Sequence, residues 1–338
     1  MLRCVLASLI AAAVALPTRA AEFYEGKTIT LIVSSGTIGS YGEIAFSVSR
    51  NMPRRIPGQP TIIVKGMPGA GNVLATNYLF NIAPKDGTTI GLINNSIPLH
   101  QVLDGRGVQY DASKFNWLGS TGSYNSVTYV WHTAGIKTIE DVMKKEVILG
   151  GTGVGSSIVI YPMVMNNVLG TKFKIVTGYK LTTEIDLAME RGEVQARSGS
   201  YAALMGERPD WVRDKKIVII AQVGLKRDTQ LPDVPMMTDL AKSDDDRQVL
   251  KLISSPIPLG RPFLAPGGVP DDRVTLLRKA LAETFRDEMF LAEMAKIQID
   301  ISPASGEEVA QIVADTVGAP PEIIAKAKVA MGDLSQAN

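Results

Sequence analysis

Three times in this sequence an apolar run stops at glycine and small polar residues, and apolar residues then resume at helical spacing. The clearest case is "LIVSSGTIGSYGEIAFSVSR", Leu31 to Arg50. "TITLIV", residues 28–33, reads as a buried strand because its apolar character is nearly continuous. Ile44, Ala45, Val48 and Met52 then share one helical face until Pro53 closes it. "TIIVK" (61–65) leads into Pro68-Gly69-Ala70-Gly71-Asn72 and a helix through Val73, Leu74, Tyr78 and Leu79 that stops at Pro84. "TTIGLI" (88–93) completes a βαβαβ unit. That alternation restricts the chain to a parallel sheet covered by helices.

The pattern restarts further on. "EVILG" (146–150) is a strand, "GTGVGSS" (151–157) an elbow, and "IVIYPMVMNNVLG" a helix ended by Gly170. "FKIVTG" follows as a strand, and residues 183–191 as a helix. The last third carries helices at 271–285, 307–317 and 322–331, after the Pro/Gly-rich "LGRPFLAPGGVP". The fold class expected is α/β with two lobes, each a sheet flanked by helices. The division falls at residues 21–122 with 224–338 for one lobe, and 123–223 for the other.

Residues 1–20 stand apart. Arg3, a short apolar run and Thr18-Arg19-Ala20 read as a secretory signal peptide cleaved near Ala20, with a core too short to span a bilayer. No lipobox precedes Cys4, so no lipid anchor is expected there. An exported, periplasmic protein is expected. Arg3 and Arg19 leave with the leader, so 33 of the 35 basic residues face 34 acidic ones. That balance near −1 argues against nucleic acid, which needs a concentrated basic surface. Cys4 is the one cysteine, and its removal leaves no disulfide and no thiolate metal site. His100 and His132 lie far apart and form no spaced ligand cluster. No Gly-x-Ser-x-Gly nucleophile motif occurs around Ser40 or Gly155. No cofactor, no metal and no enzymatic activity are expected.

The elbows can do something else. The first N–H groups of a helix lack intrahelical partners, and the dipole adds partial positive charge. Small residues let a carboxylate or phosphate approach that backbone. A glycine loop after a strand is also a plain tight turn, so each elbow alone says little. Neither a P-loop lysine nor Gly-x-Gly-x-x-Gly is present.

In order along the chain occur "YEGKTITLIV", "MPGAGNVLATNYLFNIAPKDGTTIG", "GVGSS", "LAMERGEVQARSG", "LPDVPMMTDLA" and "LGRPFLAPGGVPDDRV". Together they resemble the extracytoplasmic solute receptors of tripartite tricarboxylate transporters, the Bug receptors, over about residues 22–331. The resemblance implies a two-lobed periplasmic-binding-protein (Venus flytrap) architecture that holds a small organic acid between lobes and delivers it to membrane permease subunits. A monomer is expected. The resemblance puts a first-lobe carboxylate cradle on Ser34, Ser35, Gly36, Thr37, Gly39, Ser40 and Tyr41, helped by Gly69, Ala70 and Gly71. From the second lobe it implies Gly153, Val154, Gly155, Ser156 and Ser157, with Gly178, Tyr179, Arg197 and Ser198 nearby. The family's first elbow usually carries paired glycines and then an aspartate. Here Gly42 stands at the aspartate position and Ile38 at a glycine position, which removes a polar handle and adds bulk to the pocket wall. That change argues against an amino acid or ordinary citrate as ligand.

Charged candidates keep two readings. Arg197, at the end of strand "EVQAR", suits bidentate carboxylate recognition or a structural salt bridge. Lys180 pairs with a ligand or is a solvated loop residue. Tyr41 and Tyr201 pack on the ligand or fill core, and Asp244-Asp245-Asp246 reads as a solvated loop. Rotation of the lobes about crossovers near 119–125 and 221–225 would close the site. Two other functions compete with transport: a component that presents bound ligand to a membrane histidine kinase, and an exported enzyme.

Overall fold

The computed structural model describes residues 23–122, 125–152, 156–179, 181–297 and 299–332. The signal-peptide reading of 1–20, and the candidates Gly153, Val154, Gly155 and Lys180, lie outside the described residues.

Two sheets organise the chain. The first contains β1 (Thr28–Val33), β2 (Thr61–Gly66), β3 (Thr89–Leu92), β4 (Asn116–Ser120), β10 (Pro262–Ala265) and β11 (Ala304–Ser305), in the order β11-β4-β10-β3-β1-β2. The second contains β5 (Ser126–Trp131), β6 (Val147–Gly150), β7 (Phe173–Val176), β8 (Ala196–Ser200) and β9 (Ile217–Val223), in the order β7-β6-β8-β5-β9. β2, β1 and β3 pair in parallel, as do β7, β6 and β8. The remaining pairings are antiparallel. The chain therefore leaves the first sheet after β4, builds the whole second sheet, and returns at β10.

Alternation along the strands separates the core layers. In β1, Leu31 and Val33 face one buried cluster and Ile32 the other. In β5, Val127 and Tyr129 face one and Val130 the other. Continuous apolar runs in sequence are thus strands with helices on both faces.

Three expectations change on contact with the structure. β8 begins at Ala196 and runs through Ser198 and Gly199, so Arg197 opens the strand and does not end it. Pairing with β5 in register Thr128↔Ser198 and Val127↔Gly199 overrides the weak strand preference of serine and glycine. Asp244, Asp245 and Asp246 are not loop; they form the first turn of the helix Asp244–Ser254, where the Ser243 hydroxyl accepts from Asp246 N–H. Acidic residues suit that end of a helix dipole. Finally, the helices Asp244–Ser254 and Pro321–Ala330, counted by sequence with the first lobe, bury Leu250, Ile253, Ile323 and Ala327 in the core beneath the second sheet. An amphipathic pattern fixes which face of a helix is buried, not which sheet buries it.

The crossings between sheets are tight. A Cβ on Gly260 would stand 2.0 Å from the Gly122 carbonyl oxygen, and one on Gly122 would stand 1.6 Å from that of Ser302. Both glycines also have positive φ, at 54° and 75°. Beside them, Asn125 Nδ2 donates to the Gln222 Oε1 at 2.7 Å and to the Lys226 carbonyl at 2.8 Å. Gln222 is fully buried and donates in turn to the carbonyls of Leu231 and Val234.

Candidate functional site

The elbows stand where parallel strands end and helices begin. After β1, Gly36 N–H turns back to the Val33 carbonyl at 3.2 Å, and Met67 N–H reaches the same oxygen at 2.9 Å. Gly36 and Gly39 hold φ of 88° and 80°, values that glycine adopts without strain. A Cβ on Gly36 would lie 3.9 Å from the Pro68 ring, so the first and second elbows touch. Gly69, Ala70 and Gly71 occupy the second, with a short turn at Ala70–Asn72 preceding the helix Val73–Asn81. Gly69 and Ala70 are exposed.

The helix starts share a property. Helix Ser40–Asn51 has Gly39 as its cap residue, Val73–Asn81 has Asn72, and Ser157–Val164 has Ser156; in none does a cap side chain bond to the helix amides. N-cap serine and asparagine usually make that bond. At Val73–Asn81 main chain closes the start instead, Val73 and Leu74 N–H reaching the Ala70 and Gly69 carbonyls. Helix Ser40–Asn51 is also tied down at its far end. Asn51 donates to Glu293, Arg50 pairs with Glu293, and Arg54 and Arg55 pair with Asp287.

Several candidates have structural employment. Ser34 is fully buried, and its hydroxyl accepts from Asn94 N–H at 3.0 Å, fixing the loop after β3. Ser198 is fully buried and bonded to the Thr128 hydroxyl at 2.7 Å within the sheet. Ser156 receives the Thr152 hydroxyl at 3.0 Å, and Ser157 is exposed beside it. Gly178 N–H donates to the Thr152 carbonyl, and the Tyr179 ring covers Gly150.

Arg197 is 2% exposed, and its Nη1 donates to Asp186 Oδ1 at 2.6 Å and to the Thr182 carbonyl at 2.9 Å. Its guanidinium stands 5.7 Å from the Tyr129 ring centroid. Of the two readings of this residue, the geometry is that of a buried ion pair. Burial pushes the Asp186 carboxyl up, against the pull of Arg197 and Arg208.

Gly42, where the family pattern carries an aspartate, packs against the elbow itself. A Cβ there would stand 2.0 Å from the Thr37 carbonyl oxygen. The elbow has folded into the space a side chain would need. Ile38 is 93% exposed, so it points to solvent and adds no bulk to a pocket wall.

A cavity of about 410 Å³ opens between the two sheets' halves of the molecule. Tyr41, Asn95 and Arg261 line it from the first side, and Ser200, Ala203 and Glu207 from the second. Tyr41 is the sequence-predicted site residue among its walls. Burial pushes the Tyr41 hydroxyl up, with Arg261 and a backbone hydrogen bond from Asn95 acting against it.

Arg261 is the residue that sequence reasoning missed. It precedes β10, and among the described residues its Nε is buried with no hydrogen-bond partner, as is that of Arg197. Nη2 reaches Ser40 Oγ at a long 3.4 Å, and the guanidinium lies 5.9 Å from the Tyr41 ring centroid. Among the described residues it makes no ion pair, unlike Arg197. Burial lowers its pKa, with Tyr41 acting in the other direction, yet a guanidinium stays charged. The signal for it in sequence was "GRPFLAP", which served only to mark a resemblance. Among the described residues no group of three or more His, Cys, Asp or Glu side chains is arranged to hold a metal ion.

Two α/β halves, chain crossings between them and an arginine-bearing cleft define a two-lobed solute-binding protein. Residues 44–329 match the family described as the tripartite tricarboxylate transporter family receptor, and the chain belongs to it. A ligand-free TctC solute-binding protein from Polaromonas has a similar fold, with TM-score 0.72 and 18% identity, over 90% of this chain and 99% of that one. MatC from Rhodopseudomonas palustris, solved with malate, gives TM-score 0.58 and 17% identity over 88% and 99% of the two chains. An adipate-bound protein from R. palustris gives TM-score 0.58 and 17% identity over 90% and 97%. No curated protein sequence matches the chain.

Proposed function

We propose that this protein captures a small organic carboxylate in the cleft between its lobes and delivers it to the membrane subunits of a tripartite transporter. The observation that carries the reading is Arg261, a largely buried cation without a counter-charge on the wall of the cleft. A buried charge left unpaired is costly, and an incoming carboxylate offsets that cost with charge-assisted hydrogen bonds. The helix starts after β1 and β6, where the cap side chain makes no bond to the helix amides, supply further donors. The cradle then comprises the elbow from Ser34 to Tyr41, Gly69 to Gly71 and Gly153 to Ser157, with Arg261 added. Arg197 and Ser198 hold the second sheet together behind it. The malate and adipate of two structural neighbours are acids of this kind.

In this reading residues 1–20 direct export and are cleaved near Ala20, and the mature monomer works in the periplasm without catalysis. The lobes are residues 21–122 with 224–338, and 123–223, except that the helices 244–254 and 321–330 travel with the second. Closure rotates them about the crossovers beside Asn125 and Gln222, and the closed state is what a permease recognises. The family match is to a transport receptor, and nothing observed favours presentation to a kinase.

A thermal-shift screen over mono-, di- and tricarboxylates, amino acids and neutral solutes tests the proposal. A true ligand at 100 times its dissociation constant adds about 2.7 kcal/mol of stability. Stabilisation by a neutral solute and by no acid overturns it.

A further inference from the structure

A second cavity, of about 400 Å³, lies apart from the cleft, and the two share no described wall residue. Two helix faces enclose it. On one, Gln248, Lys251, Leu252 and Ser255 follow helical spacing along Asp244–Ser254 and its cap residue. On the other, Ile312, Asp315 and Thr316 do the same along Gly306–Val317. Ile323 of the helix Pro321–Ala330 and Leu225, just past β9, complete the wall. The faces belong to different cores. Leu252 and Ile323 lie in the one beneath the second sheet, whereas Ile312 packs with Val309 and Val313 against the first. A molecule held here would touch both halves of the protein.

The interior of this cavity and its rim differ in chemistry. Leu252, Ser255, Thr316 and Ile323 are buried. The Thr316 hydroxyl is committed, donating to the Ile312 carbonyl at 2.7 Å. Ser254, next to Ser255 but in the core, likewise donates to the Leu250 carbonyl at 2.7 Å. Ser255 is 5% exposed, and among the described residues its hydroxyl has no partner. Leaving a buried hydroxyl unbonded is costly, and a guest that bonds it removes the cost. The charges stand on the exposed rim, Lys251 and Asp315, one of each sign. Among the described residues neither makes an ion pair, although the same helix pairs Asp244 with Arg247 and Asp245 with Lys326. Opposite charges on the rim favour neither anion nor cation, and either would be costly to bury against the apolar walls. The geometry points to a second binding site, for an uncharged amphiphile. Its apolar chain lies along Leu225, Leu252, Ile312 and Ile323, and its one hydroxyl or ether oxygen bonds with Ser255. The inference is independent of the carboxylate reading, because neither Arg261 nor any elbow residue lines this cavity.

Methyl NMR of the mature protein, labelled at isoleucine and leucine, tests it with hexan-1-ol, hexanoate, hexylammonium and cyclohexane as probes. Hexan-1-ol should shift the Leu252, Ile312 and Ile323 methyl signals saturably, and at least about tenfold more tightly than either charged probe acts on them. Ser255→Ala removes an unpartnered group and should fold normally. It should weaken hexan-1-ol about three- to tenfold and leave cyclohexane unchanged, whereas a merely structural role would move both. Leu225→Trp, altered at a position 40% exposed, should fill the cavity and abolish the shifts with both neutral probes. Absence of saturable shifts at these methyls, a charged probe that binds there as tightly, or an equal response of both neutral probes to Ser255→Ala overturns the inference. The carboxylate reading stands or falls separately, on the thermal-shift screen.

Discussion

Two arginines sit near the start of strands, one in each sheet, and differ in almost everything else. Arg197 in β8 is sealed against Asp186 and the Thr182 carbonyl. Arg261 before β10 has, among the described residues, a single long side-chain contact, to Ser40, and no ion pair; an unpartnered Nε is common to both arginines. The first has its counter-charge within bonding distance; the second, among the described residues, is paired with none. In sequence the two looked the other way round, because Arg197 lies before Ser-Gly and Arg261 inside a proline-bounded strand motif. What separates a structural cation from a binding one is the company it keeps in three dimensions.

Removing each in turn should expose the difference. Arg197→Leu leaves Asp186 buried and unpaired, and a loss of about 3–5 kcal/mol is expected in denaturant unfolding. Adding Asp186→Leu should recover most of that loss, since the stranded charge goes with it. An unchanged midpoint in the single variant would show that the pair is dispensable. Arg261→Gln, which removes an unpaired charge, should instead leave stability unchanged or raise it in denaturant unfolding. Its cost should appear in carboxylate affinity, at about 1.5–3 kcal/mol, or roughly ten- to more than a hundredfold, by titration with the best acid from the screen. Equal losses of stability in the two variants would erase the contrast.

A smaller effect concerns the elbow beside Arg261. Gly42→Asp restores the acid of the family pattern but drives a side chain into the Thr37 carbonyl. A destabilisation of about 1–3 kcal/mol is expected by thermal unfolding, as for overpacked sites. A neutral outcome would mean the elbow readily adopts a second shape.

The smallest difference should come from acid. Burial raises the Asp287 carboxyl, but Phe290 N–H, Arg55 and Arg54 outweigh it and hold it below its ordinary value. Glu293 is lowered likewise, burial acting upward against Arg50, Ser47 and Asn51. Both folded pKa values lie below the unfolded ones. Their contribution is therefore complete above about pH 4–4.5 and is lost as pH falls through the folded values. They brace the last turn of helix Ser40–Asn51, the end opposite the Ser40 that Arg261 contacts, so wild type and Arg261→Gln should lose stability in parallel over that range. Divergent pH profiles would show that the brace and the cleft are coupled.

Much of the fold was legible because its strands are nearly unbroken apolar runs and its helices have clear starts. β1 falls at Thr28–Val33 as read, and helix Asp271–Thr284 differs by one residue at its end. β8 was displaced because Ala-Arg-Ser-Gly-Ser carries no strand preference of its own and is a strand by virtue of its partner. The membership of helices Asp244–Ser254 and Pro321–Ala330 was illegible for a related reason: periodicity names a buried face and says nothing of the neighbour. In the site, the elbows were readable from glycine spacing. Arg261 was not, since being without a partner leaves no mark on a linear sequence.

The backbone contacts at Gly122, Gly260 and Ser302 carry one more consequence. Main chain meets main chain where these segments cross, so a side chain added at Gly122 or Gly260 would displace the crossing directly. Under the closure proposed above, residues facing the cleft are free to diverge while that crossing stays constant. Cargo can thus change over evolutionary time without retraining the machinery that receives it.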